Sequence, residues 1–380
     1  VKYPAFLAAA LLGLAACTTP PTIPKTETTG PRYTEASWAS LPALNEADWL
    51  AGFNAWRKGC SVLGKQAIWA SVCRDAAQVP QQAQAARAFL QQRLRPVSLR
   101  NPDGGDQGLI TGYYEPVYPG SLTRTANATI PVYGIPNDLI TVQLDSLFPE
   151  LKGKRVRGRL VGQKLLPYPS AADIAQDGLT APVLAWLESP MDLQFLQIQG
   201  SGRVRLADGK EIRLGYADQN GHPYSAIGKW LIAQGELTAP DVSMQSIRAW
   251  ALSHPARMQE LLASNPSYVF FRTLPAGNDG PPGSLGVPLT AGYSLAVDTR
   301  HVPPGSPMLI ATTTPDGATL NRLAAAQDTG GAITGQVRAD FFFGKGDAAG
   351  ELAGKMKQRG RLWLLWPQDA ALPNPQSAQN

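Results

Sequence analysis

What most constrains the fold of this chain is its punctuation. From Ser267 onward, short β-prone runs are cut by glycine and proline turns too closely for long helices to fit between them. The runs are Tyr268–Phe271, Tyr293–Val297, Met308–Thr312, Leu323–Gln327, Ala339–Phe343 and Leu362–Leu365, and their connections carry Pro303-Pro304-Gly305 and Gly330-Gly331. Six such strands predict a small closed barrel.

Upstream the pattern is mixed. Trp49, Leu50, Phe53 and Trp56 fall at helical spacing behind Asn45, a residue suited to capping, and Pro80 opens a second helical stretch with Ala85, Phe89, Leu90 and Leu94 on one face. Gly108–Pro116 is β-prone, and Ile130–Tyr133, Asp138–Val142, Lys154–Leu160 and Gln194–Ile198 read as further short strands. Asp208-Gly209 signals a hairpin turn. Helical spacing returns in Ser225–Gln234, Asp241–Leu252 and Pro255–Ala263. The expected class is mainly β with flanking helices.

Ala5–Ala16 is short, small and apolar, the length of a signal-peptide core, and it ends in Leu14-Ala15-Ala16-Cys17. That ending resembles a bacterial lipobox, which would place a lipid on Cys17 and the body in the periplasm. Thr18 in place of aspartate after the cysteine resembles outer-membrane lipoproteins. The Thr- and Pro-rich stretch to Arg32 reads as a tether, and the polar end from Asp369 as a tail. With Cys17 lipidated, Cys60 and Cys73 remain as an even pair for which a disulfide is expected. A metal pair is a poorer reading, because no histidine lies near either cysteine.

The formal charge of +5 is mild and the cations are scattered, which excludes the basic stripe of a nucleic-acid reader. His222, His254 and His301 stand in no metal-ligand spacing, so no metal is expected. Ser201 sits in Gly-Ser-Gly without a G-x-S-x-G frame, and Gly344-Lys345-Gly346 lacks the pattern of a phosphate loop. No cofactor is expected.

Carboxylates remain. Asp298, Asp328 and Asp340 each stand at the end of a predicted strand of the barrel-like region. Strand alternation puts Asp340 on one face with Arg338 and Phe342, and Ala339, Phe341 and Phe343 on the other. A glycosidase acid needs a raised pKa, which desolvation beside Phe342 favours, so Arg338 is expected to point toward substrate or solvent. Glu115, fixed in extended backbone by Pro116, is a rival acid ranked behind Asp340.

Several motifs together resemble the membrane-bound lytic murein transglycosylase A family. They are Gly112-Tyr113-Tyr114-Glu115-Pro116, Gln199-Gly200-Ser201-Gly202, Gly215-Tyr216-Ala217, Asn220-Gly221-His222-Pro223-Tyr224, Asn265–Phe271 and Asp328–Ile333. The likeness runs over residues 40–367, and the C-terminal part is similar to a three-aspartate domain. The resemblance implies a double-psi β-barrel with a second β-rich domain inserted, the glycan lying in the groove between. On that basis the spans are a signal peptide (1–16), a lipidated tether (17–36), barrel segments (37–116 and 265–367), the insert (117–264) and a flexible tail (368–380).

It further implies a lytic exotransglycosylase of peptidoglycan that leaves 1,6-anhydromuramoyl ends, with Asp340 as acid and Asp328 as a second catalytic carboxylate or a turn former. Tyr113, Tyr114, Gln199, Gly200, Ser201, Gly202, Tyr216, Thr329 and Asp298 are the expected substrate contacts. The implied partners are peptidoglycan strands, the membrane through the lipid, and a cell-wall synthesis complex. A hydrolase using water, and a binding lipoprotein without turnover, are the competing readings.

Overall fold

The computed structural model describes residues 32–151, 154 and 156–373. The signal peptide, Cys17 and most of the tether and tail lie outside the described residues. In chain order the first strands are β1 (Tyr33–Glu35), β2 (Leu94–Leu99) and β3 (Gly108–Glu115). A middle group follows: β4 (Val117–Ser121), β5 (Ile130–Tyr133), β6 (Ile140–Thr141), β7 (Arg157–Val161), β8 (Lys164–Pro167), β9 (Val183–Leu187), β10 (Ser201–Arg205), β11 (Glu211–Gln219) and β12 (Val269–Leu274). The last are β13 (Ser294–Val297), β14 (Pro307–Thr313), β15 (Thr319–Asp328), β16 (Arg338–Lys345) and β17 (Lys357–Pro367).

The first and last groups form one eight-stranded sheet in the order β1-β2-β17-β14-β15-β13-β16-β3. The middle group supplies a six-stranded sheet, β12-β11-β10-β4-β9-β5, and a small one, β6-β7-β8. The chain therefore leaves the large sheet at Pro116 and returns to it after Leu274. Tyr268–Phe271, counted above among the barrel strands, pairs instead with β11 in the six-stranded sheet.

The expected class is corrected by this topology. The fold is mixed α/β, with a large irregular sheet and packed helices, and it is not the double-psi β-barrel expected. Strands of the large sheet range from three residues in β1 to eleven in β17. Register shifts interrupt β13–β15 and β16–β3. β17 divides its pairing, meeting β3 through Lys357–Gly360 and β14 and β2 through its later residues. Short runs between glycine turns report strand existence but not pairing partners, so the barrel inference asked more of the pattern than it holds.

Helices cover one face of the large sheet. In Glu46–Lys58 acidic residues open the first turn and Arg57 and Lys58 close the last, which suits the helix dipole. Asn45 holds the N-cap position, but its side chain makes no capping bond. Trp49, Phe53 and Trp56 form the buried stripe, and Gly52 permits close approach to β15, since a Cβ there would lie 2.2 Å from the Leu323 carbonyl oxygen. Trp56 meets Trp69, and Trp69 meets Trp366 edge-on. Cys60 and Cys73 are joined by a disulfide between two short helices.

One predicted strand is a helix. Gln194–Ile198 lies within the helix Pro190–Gln199, which starts with Ser189 capping the Met191 N–H and Pro190 in the first turn, and stops at left-handed Gly200. Those end signals outweigh the apolar run that reads as β. A second core fills the six-stranded sheet's helical face, with Phe195, Leu214, Trp250 and Phe271 among its buried members.

Candidate active site

Four neighbouring strands, β15, β13, β16 and β3, set a row of residues across the large sheet. Ala296 pairs with Asp328 on one side and Asp340 on the other, and Asp340 pairs with Thr111. Partners in register share a face, so both carboxyls rise beside the small Ala296, their Cα atoms about 10 Å apart at ordinary strand spacing. Alternation along β16 is as read from the sequence: Phe341 enters the main core, and Phe342 packs with Tyr113, Leu289, Ala296 and Ile333 on the aspartate face.

Asp340 is half-buried. Its Oδ1 accepts a 2.6 Å bond from Thr111 Oγ1, and the carboxyl makes no other hydrogen bond with the described residues. Burial raises its pKa, against the pull of the Thr111 bond and the Arg338 charge. Arg338 differs from expectation. It turns back over the strand, donating to Thr111 Oγ1 at 2.8 Å and to the Ala339 carbonyl. There the guanidinium braces the Thr111 hydroxyl and meets the backbone oxygens of Leu109 and Ala339, at a desolvation cost that lowers its pKa.

Asp328 Oδ1 accepts from the backbone N–H groups of Ser284 and Thr329, each at 2.9 Å. Burial is the main cause that lifts its pKa to about 6, opposed by the two N–H donors and the nearby Tyr113 hydroxyl, with the Asp340 charge adding a smaller upward push. Thr329 itself is held by a bond from its hydroxyl to the Val297 carbonyl. Asp298 plays another part. It is buried, takes both arms of Arg300 and the Gly335 N–H, and faces His301 at 3.6 Å. Although burial works the other way, these donors hold its carboxyl below the usual range, so it pins the loop before β16 as an anion.

Tyr113 and Tyr114 point to opposite sides of β3, and both are buried. Tyr113 rests on Phe342 with ring centres 5.1 Å apart. Tyr114 packs against the helix Asp347–Lys355, where a Cβ on Gly350 would lie 2.7 Å from its ring. Gln199 Oε1 accepts the Tyr114 N–H at 3.1 Å, which ties the helix end at Gly200 to the end of β3. Gly202 is buried where a Cβ would meet Leu196 and Pro116. Tyr216 lies on β11 beside a register shift, within the six-stranded sheet. The Gln199–Gly202 turn thus reaches the strand that carries Thr111 and Tyr113, whereas Asp298 serves a loop.

Glu115, the rival acid, is spent on structure. It is almost fully buried and accepts from Arg203 Nε at 3.0 Å. Arg203 also donates to the carbonyls of Gly277 and Asp279, and Arg213 to those of Pro275, Asp279 and Gly280. Both passages of the chain between the two large sheets are therefore clamped by two arginines of the six-stranded sheet. Sequence reading missed Arg203, Arg213 and Thr111. Thr111 alone left a signal, lying two residues before Tyr113 in a strand and so on its face.

No group of three or more metal-ligating side chains occurs among the described residues. His222 Nε2 contacts the Tyr168 carbonyl, and His254 stacks on Trp250. A concavity of about 650 Å³ lined by Glu46, Leu50, Asn54 and Ala83 lies among the helices, away from the aspartate row.

Residues 109–272 match the MltA specific insert domain and residues 293–366 match the 3D domain. The chain is 37% identical over 265 residues to membrane-bound lytic murein transglycosylase A of Escherichia coli K12, covering 67% of this chain and 65% of that protein. The match thus spans just under two thirds of that relative's length. The crystal structure of MltA from Neisseria gonorrhoeae superposes with a TM-score of 0.79 at 39% identity, covering 89% of this chain and 93% of the other. The structure of E. coli MltA with bound chitohexaose gives a TM-score of 0.68 at 28% identity, covering 89% and 95%.

Proposed function

The chain belongs to the membrane-bound lytic murein transglycosylase A family, and from that premise we propose that it cuts peptidoglycan strands between N-acetylmuramic acid and N-acetylglucosamine without water. Asp340 gives its proton to the bridging oxygen as the β-1,4 bond breaks. The resulting carboxylate then takes the proton of the muramoyl O6 hydroxyl while O6 attacks C1, closing a 1,6-anhydro ring. One carboxyl thus serves as acid and then base, and returns to its starting state.

The observation that carries this reading is the state of Asp340, a half-buried carboxyl with a raised pKa, one oxygen anchored by Thr111 and the other free to face a sugar. Asp328, across Ala296, supplies a fixed negative charge for the oxocarbenium-like state. The oligosaccharide bound by the E. coli relative supports a glycan as ligand. Asp340→Asn removes the proton while keeping size and the Thr111 contact. It should lower the release of fragments from purified peptidoglycan by about 10³-fold, within the range of lost acid–base catalysis, with thermal unfolding little changed. Activity within tenfold of the parent would end the assignment.

The same reading places a lipid on Cys17 and the body in the periplasm, held to the outer membrane, with peptidoglycan and a wall-synthesis complex as partners. No helix among the described residues is long and apolar enough to cross a membrane. Labelled palmitate should enter the chain and be lost in Cys17→Ala; labelling that persists in the variant would contradict the anchor.

A further inference from the structure

The Tyr113 hydroxyl is shielded from solvent and makes no hydrogen bond of good donor–acceptor geometry, yet it lies within interaction range of the Asp328 carboxyl. Such a group is costly in a folded protein unless a partner arrives. Its ring cannot swing freely, because Phe342, Leu289, Ala296 and Ile333 enclose it. The charged groups that face it are Asp328 and Asp340, and no cation is among them. Asp328 has the complementary need. Its Oδ1 takes both backbone donors, and its Oδ2 receives no hydrogen bond in donor–acceptor geometry from the described residues. Asp340 is supplied separately, by Thr111, which is itself braced by Arg338. The two carboxyls therefore sit in one row with different donors available to each.

We propose that Tyr113 is the positioning residue that makes the two aspartates unequal, its hydroxyl closing on Asp328 so that Asp328 stays the anion and Asp340 keeps the proton. The inference rests on the activity proposed above. It gives Tyr113 a polar role in place of sugar stacking, for which a buried ring is poorly placed. A hydrogen bond to the charged form of Asp328 opposes the burial that favours its protonation. Without that donor, Asp328 would hold a proton near neutral pH and the row would lose its asymmetry.

The test is Tyr113→Phe in the full chain, which keeps the ring and its packing on Phe342. Carboxyl ¹³C NMR of Asp-labelled protein reads the Asp328 titration whether or not turnover occurs. It should move upward by at least half a pH unit. In fragment release from peptidoglycan, kcat at neutral pH should fall at least fivefold with KM within twofold, and the acid limb of the kcat profile should move the same way. In an Asp328→Asn background the tyrosine change should add almost nothing. An unmoved Asp328 titration, a loss confined to KM, or fully additive losses would each overturn the proposal. The product ends formed by the parent protein, read in the same samples, test the activity separately.

Discussion

Asp328 and Asp340 are chemically alike, and their surroundings give them separate tasks. Asp340 meets a side-chain hydroxyl backed by a guanidinium, whereas Asp328 meets two backbone N–H groups and the hydroxyl of a buried tyrosine. The raised pKa of Asp328, about 6, has a consequence for stability. A carboxyl that binds its proton more tightly folded than unfolded favours the fold while protonated. That contribution is complete below the unfolded value near 4 and is lost as pH rises through about 6. Asp328→Asn should therefore flatten the fall in stability between pH 4 and 6, gaining about 1–3 kcal/mol relative to the parent at pH 7. Urea unfolding at several pH values checks this, and parallel pH profiles for both proteins would contradict it.

Arg203 and Arg213 on neighbouring strands β10 and β11 hold the return segment through five carbonyl bonds, and Arg203 meets Glu115 at the outgoing end. Removing Arg203 leaves the buried Glu115 carboxylate uncompensated. Arg203→Met should cost about 3–5 kcal/mol in urea unfolding, as for other buried pairs broken on one side; a cost below about 1 kcal/mol would show the clamp to be dispensable. The clamp was invisible in the sequence because Glu115 and the carbonyls that these arginines hold lie 62 to 88 residues away from them. By contrast, the β16 alternation was readable, since Arg338, Asp340 and Phe342 share a face by strand period alone. The helix Pro190–Gln199 was misread because its apolar residues fit both periods, although Ser189, Pro190 and Gly200 marked its ends. Arg338 turns back over the strand, which its sequence neighbours do not reveal, because two of its acceptors, Thr111 and the Leu109 carbonyl, lie on β3, whose pairing with β16 the sequence does not specify.

In the whole molecule, two sheets with separate cores are joined at Pro116 and at the segment after Leu274, and the aspartate row lies on the sheet that the chain's two ends build together. The family was legible in its motifs: Gly112–Pro116 and Asp328–Ile333 border that row, whereas Gly215–Ala217, Asn220–Tyr224 and Asn265–Phe271 lie in or beside the six-stranded sheet. The pairing of strands was not, because register and sheet membership depend on contacts far apart in the chain. In the proposed reaction the muramoyl O6, and not water, attacks C1. Asp328 and Asp340 across Ala296 would also suit a hydrolase with two carboxylates, so the reacting oxygen decides between them. The direct measurement is mass spectrometry of fragments released from purified peptidoglycan in H₂¹⁸O. Attack by O6 gives muropeptides one water lighter than hydrolysis products, carrying no heavy oxygen. Reducing ends that carry one ¹⁸O would contradict it and make Asp328 the base that activates water.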